Sequence, residues 1–133
     1  MTSVFVTGST TGLGLAAAEA LLADGHHVIV HARNDERATA LEPLRTAGAD
    51  VVIGDLANLA ETNRIADTVN DLGSLDAVIH NAGIYTDTEP NRTIDGHPRV
   101  FAVNVLAPYL LTARIRRPAR LIYLSSGITH TET

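Results

Sequence analysis

Short apolar runs, rich in β-branched residues, recur five times along the 133-residue chain, and longer helix-type patterns separate them. The runs are Val4–Thr7, Val28–His31, Val51–Ile53, Ala77–His80 and Leu121–Ser125. The helical patterns lie near Gly14–Ala23, Asp35–Ala47, Leu59–Asp71 and Pro98–Arg116. Runs without an alternating polar face belong to strands covered on both sides. Strict alternation of strand and helix leaves a parallel sheet with right-handed crossovers as the simplest solution. The punctuation agrees: Asp24-Gly25 closes the first helix, Gly48 the second and Gly73 the third, while Asn34 or Asp35 and then Asn58 supply caps. With no repeat, linker or composition break, residues 1–133 read as a single domain.

The first strand runs into Thr7-Gly8-Ser9-Thr10-Thr11-Gly12-Leu13-Gly14, followed by the alanine-rich Leu15–Ala23. Three glycines allow a sharp turn, a close approach of the backbone to a ligand, and tight packing of helix on strand. The N–H groups at the helix start, with the helix dipole behind them, favour a diphosphate. The glycine spacing alone also fits an ordinary βα turn, so the remaining motifs must decide.

Composition narrows the classes of function. A net charge of −5 gives no support for nucleic-acid or membrane-surface binding. The absence of cysteine removes disulfides and thiolate metal sites. The six histidines are scattered without metal-ligand spacing, so no metal is expected and they read as solvated or strand-end residues, His31 and His80 among the latter. A strand begins within three residues of the start and no apolar run nears membrane-spanning length, which makes the cytoplasm the expected compartment. All ten residues counted as Lys or Arg are arginine; the sequence contains no lysine.

Further markers follow the glycine turn in order: Asp55-Leu56 after the third strand, Asn81-Ala82-Gly83 after the fourth, Asn104 in the last helix and Ser125-Ser126 at the end of the fifth strand. On these residues, and on the Thr-Gly-x-x-x-Gly-x-Gly spacing, the chain resembles the short-chain dehydrogenase/reductase family over essentially its whole length. The resemblance implies a Rossmann-type α/β fold, a doubly wound parallel sheet of five strands in order 3-2-1-4-5, cut short after the fifth. It implies reversible hydride transfer between a nicotinamide cofactor and a carbonyl/alcohol pair. Thr7, Gly8, Thr10, Thr11, Gly12, Leu13 and Gly14 match the cofactor-diphosphate turn. Asp55 and the Leu56 main chain match the adenine contacts, and Asn81, Ala82 and Gly83 the passage beside the nicotinamide ribose.

The end of the second strand bears on cofactor type. Val30-His31-Ala32-Arg33-Asn34 carries no carboxylate before Asp35, and the Arg33 guanidinium suits a phosphate monoester. This resembles the NADP-preferring branch, with NAD second; a solvated strand-end arginine is the alternative reading.

For catalysis the resemblance implies an asparagine, a serine and a tyrosine followed four places on by lysine. Asn104 matches the asparagine that holds a proton-relay water, and Ser126, or less well Ser125, the serine that bonds the substrate oxygen. Tyr85, Tyr109 and Tyr123 are the available tyrosines, and none has a lysine partner. Three readings follow: the cofactor-binding N-terminal part of such a reductase, inactive as given; a non-catalytic dinucleotide-binding or interaction module; or a chain completed by another subunit. Pro98–Arg116 is apolar nearly all round, so it is expected to be buried on more than one side and bent at Pro108. Homo-oligomerisation through this helix or through the 121–125 edge strand is the expected partnership.

Overall fold

The computed structural model describes residues 2–84 and 92–124. Its elements are β1 Ser3–Val6, α1 Gly12–Ala23, β2 His27–Ala32, α2 Asp35–Ala38, α3 Glu42–Thr46, β3 Asp50–Ile53, α4 Leu59–Asp71, β4 Ala77–His80, α5 Arg99–Phe101, α6 Ala107–Arg114 and β5 Arg120–Tyr123. The strands form one sheet in the order β3-β2-β1-β4-β5, every pair parallel. Strand order reverses at β1, which pairs with β2 on one side and β4 on the other, and that junction is where doubly wound sheets open a crevice at their C-terminal ends.

Side-chain alternation along the strands divides the core in two. Phe5, Ile29 and Val78 point to one face and pack with Ile65 and Val69 of α4 and Leu111 of α6. Val4, Val6, Val28 and Val30 point to the other and meet Ala18 of α1, Leu41 and Leu44. Phe5 is fully buried at the centre and contributes roughly 2–3 kcal/mol by its burial alone. In α4 the buried residues are Thr62, Ile65, Ala66 and Val69, the spacing of one helical face. Asn58 caps that helix by accepting the Glu61 N–H, and Asn34 caps α2 by accepting the Arg37 N–H.

Three expectations change. The second helical region is not continuous: α2 gives way to a 3-10 turn over Thr39–Leu41 before α3, whose second residue is Pro43. The Pro98–Arg116 helix is likewise divided into α5, a π-helical segment Ala102–Leu106, and α6. In the π segment the Ala107 N–H reaches back five residues to the Ala102 carbonyl. Pro108 has no N–H for the Asn104 carbonyl four residues behind it, so the α register cannot pass through this point. Pro108 thus stands in the first turn of α6, where a proline is tolerated. Nor is the segment buried all round, since Phe101, Val105 and Tyr109 are exposed. The fifth apolar run forms the edge strand, exposed along its length, and its predicted end at Ser125 lies outside the described residues. No helix among the described residues is long and apolar enough to cross a membrane.

Candidate functional site

The turn after β1 is built against the turn after β4. Thr7 is buried, and its Oγ1 accepts both the Asn81 and the Ala82 N–H at 3.0 Å. In return the Asn81 Nδ2 donates to the Gly8 carbonyl at 3.0 Å and to the Thr7 carbonyl at 3.3 Å. Gly8 has φ +65°, and a Cβ there would lie 2.9 Å from the Cα of Ala82. At Gly14 a Cβ would overlap the Gly8 carbonyl oxygen and the Asn81 amide. Only glycine lets these backbones approach so closely. Among the described residues nothing lies within 4 Å of a Cβ at Gly12. Thr11, at the cap of α1, makes no side-chain capping bond, so the N–H groups of the first turn carry no side-chain cap and have the helix dipole behind them.

A trough of about 240 Å³ runs along the strand ends at the switch point. Of the thirteen expected cofactor residues, nine line it: Gly8, Thr10, Thr11, Arg33, Asp55, Leu56, Asn81, Ala82 and Gly83. Thr7, Gly12, Leu13 and Gly14 do not; Thr7 and Gly14 act behind the wall, and Leu13 is 74% exposed. Asp55 has one carboxylate oxygen engaged already, because its Oδ1 accepts the Ala57 N–H at 2.9 Å. Its own N–H donates to Glu61 Oε1, and the Leu56 side chain is buried in the core. Asp55 thus closes its own turn through one carboxylate oxygen while it lines the trough.

Sequence reasoning missed His31, Arg37, Ile84, Arg99 and Val103, which complete the trough. His31 is buried, and its Nδ1 accepts the Gly8 N–H at 2.9 Å while its Nε2 meets the Gly54 carbonyl at 2.8 Å. Burial lowers its pKa, against smaller opposing effects of the Gly54 carbonyl and Asp55. The available signal was a polar residue at the ligand-side end of an otherwise apolar strand. Arg37 falls in the first turn after the Asn34 cap, beside Arg33. Arg99, from α5, has no local signal. With Arg33 these make three guanidinium groups against the single carboxylate of Asp55 in the lining. None of the three takes part in an ion pair among the described residues. A second cavity of about 480 Å³ adjoins through Arg33, Asp55 and Arg99 and adds Arg92.

Asn104 lies in the π segment and does not line the trough. Its amide clamps one residue of the neighbouring loop, accepting the Ile84 N–H and donating to the Ile84 carbonyl, each at 2.8 Å. Ser125, Ser126 and Tyr85 lie outside the described residues.

The sheet order and the crevice at its switch point define a Rossmann-type α/β domain. Within that class the chain belongs to the short chain dehydrogenase family, whose model matches residues 2–128. It is 46% identical over 129 residues to an uncharacterized oxidoreductase of Emericella nidulans, covering 95% of this chain and 51% of that protein. It is 42% identical to the short-chain dehydrogenase chyC of Penicillium rubens, covering 99% and 50% respectively. The chain thus spans about half the length of these relatives. Among solved structures, a Pseudomonas aeruginosa RhlG/NADP active-site complex superposes with TM-score 0.78 at 26% identity, covering 99% of this chain and 58% of that one. A blue fluorescent protein from a metagenomic library, in complex with NADPH, gives 0.77 at 25% identity, with 96% and 56% covered.

Proposed function

We propose that this chain is the dinucleotide-binding part of an NADP(H)-dependent oxidoreductase that interconverts carbonyl and alcohol groups. One observation carries the reading: the glycine turn, Asp55-Leu56, Asn81-Ala82-Gly83 and Arg33 come together in one trough at the switch point of the sheet. The residues fit the group. The open first turn of α1 suits a diphosphate, and Arg33 with Arg37 suits a 2′-phosphate. When bound, the nicotinamide supplies the hydride chemistry; this chain's residues bind and orient it.

The phosphate assignment is tested by titrating NADPH and NADH against the wild type and Arg33→Ala. NADPH is expected to bind more tightly, and the substitution to weaken NADPH selectively by roughly 10–100-fold, the effect of losing a hydrogen bond to a charged group. Equal wild-type affinity for the two cofactors refutes it.

A second reading, a binding module without turnover, draws on the lysine-free sequence, which cannot supply a Tyr–Lys pair. Purified chain is expected to show no sustained NADPH oxidation with carbonyl substrates, and contaminant-free turnover excludes this reading. We further propose self-association through the exposed Phe101, Val105 and Tyr109 or along the β5 edge. A monomer at micromolar concentration by sedimentation refutes that.

A further inference from the structure

His31 ties three strand ends together. Its ring accepts from Gly8, beyond β1, and reaches Gly54, beyond β3. Its main chain joins Ser9 twice: the Ser9 N–H donates to the His31 carbonyl, and the His31 N–H donates to Ser9 Oγ, both at 3.1 Å. A peptide N–H can only donate, so Nδ1 facing Gly8 must carry a lone pair. The single ring proton is then on Nε2, donated to the Gly54 carbonyl.

We propose that His31 is a positioning residue of the dinucleotide site: its neutral Nε2–H ring holds Gly8 in the left-handed turn that shapes the phosphate cradle, and protonation of the ring releases that turn and weakens dinucleotide binding. The proposal rests on the dinucleotide reading above. Protonation at Nδ1 sets N–H against N–H across 2.9 Å and takes from the Gly8 N–H the acceptor that holds it. The Gly8 N–H is taken by the ring, so the diphosphate is left to the first turn of α1. The charged groups that share the trough with the ring are Asp55, which favours its charged form, and Arg33, Arg37 and Arg99, which oppose it. The segments that flank it, after β1 and along β3, contribute Gly8, Ser9, Val52 and Gly54, none of which titrates in this range. Burial holds the ring neutral at ordinary pH and moves the switch to the acid side of 6.5.

The test has an arm without cofactor. Long-range proton–nitrogen correlation spectra of the wild-type chain are expected to show His31 protonated at Nε2 alone, with the Gly8 amide protected from exchange at pH 8 and losing protection on acidification. A proton on Nδ1, or a Gly8 amide indifferent to pH, overturns the proposal. The second arm measures NADP⁺ affinity by calorimetry at pH 8 and at the acid pH where those spectra show the His31 ring protonated, for wild type, His31→Asn and His31→Phe, each confirmed folded by circular dichroism. His31→Phe fills the space without an acceptor and is expected to bind at least about tenfold more weakly at pH 8. His31→Asn offers Oδ1 to Gly8 and should restore most of that affinity. Because Asn does not titrate, its loss at the acid pH should be smaller than that of wild type, the cofactor's own ionisation being common to both. Full affinity in folded His31→Phe, or parallel pH dependence in wild type and His31→Asn, overturns the proposal. A wild-type chain that binds no dinucleotide at either pH overturns the dinucleotide reading instead, and the cofactor-free spectra then decide the His31 assignment by themselves.

Discussion

Thr7→Val removes one oxygen atom from the junction of the two turns and nearly preserves its shape. Two N–H groups point at that oxygen, which suggests two orphaned donors and a large loss. The hydrogen-bond pattern says otherwise. The Asn81 N–H is shared, also reaching the Ile79 carbonyl at 3.1 Å, so it keeps a partner in the variant. The Ala82 N–H has Thr7 Oγ1 as its partner at 3.0 Å and is the donor left without one. A single unsatisfied buried donor costs about 1–3 kcal/mol, and because Ala82 is half-buried the expected loss is in the lower half, about 1–2 kcal/mol. Thr7→Ser keeps the oxygen and loses a methyl group, at about 1 kcal/mol. Urea unfolding of the three proteins gives these differences, and amide exchange locates them: Ala82 should lose protection in Thr7→Val while Asn81 largely keeps it. Wild-type stability in Thr7→Val, or equal deprotection at both amides, refutes the reasoning.

Other expected outcomes use the same measurements. Gly14→Ala drives a Cβ into backbone that cannot yield and should cost roughly 1–3 kcal/mol or more; Gly12→Ala meets no atom and should cost only the left-handed conformation, about 1–2 kcal/mol at φ +60°. If thermal or urea unfolding shows Gly12→Ala to be the more damaging, the packing argument fails. His80 stacks on Tyr123 with ring centroids 4.7 Å apart, its Nδ1 has no partner among the described residues, and burial lowers its pKa from 6.5 to about 4. The depressed value means that its stabilisation is complete above pH 6.5 and is lost as pH falls from there towards 4, in all of the order of 3 kcal/mol. His31 acts in the same direction. His80→Phe should therefore unfold with a shallower acid dependence than wild type, and identical pH slopes refute the assignment.

What could be read from the chain was what local stereochemistry determines. The strand runs ended within a residue or two of β1 to β4, because strands covered on both faces have few alternatives to an apolar run. Asn34, Asn58 and the glycines after α1, α3 and α4 marked helix ends for the same local reason. His31 could not be read this way. Its importance depends on the register that sets β2 between β1 and β3, which brings Gly8 and Gly54 to opposite sides of one ring. The division of the last helix was missed because periodicity records which residues are apolar, whereas the π register follows from the N–H that Pro108 lacks. Arg99 joins the trough from a segment more than sixty positions beyond Arg33, and only the tertiary fold sets them together.

Asn104 shows how such a distant residue can govern the site without touching it. Its amide holds both backbone groups of Ile84, and Ile84 and Gly83 line the trough. Asn104→Ala removes both bonds; at an exposed position each contributes toward the low end of the usual range, about 0.5–1 kcal/mol. Asn104→Asp keeps an acceptor for the Ile84 N–H but sets a carboxylate oxygen against the Ile84 carbonyl, where an N–H now stands at 2.8 Å. If the clamp matters for the trough, both variants should weaken NADPH binding more than they lower global stability. Asn104→Asp should be at least as impaired as Asn104→Ala despite its closer shape, and Asn104→Gln should not rescue, since its longer arm cannot reproduce the paired geometry. Unchanged NADPH affinity in both Asn104→Ala and Asn104→Asp refutes the clamp and returns the loop's position to the Thr7–Asn81 network alone.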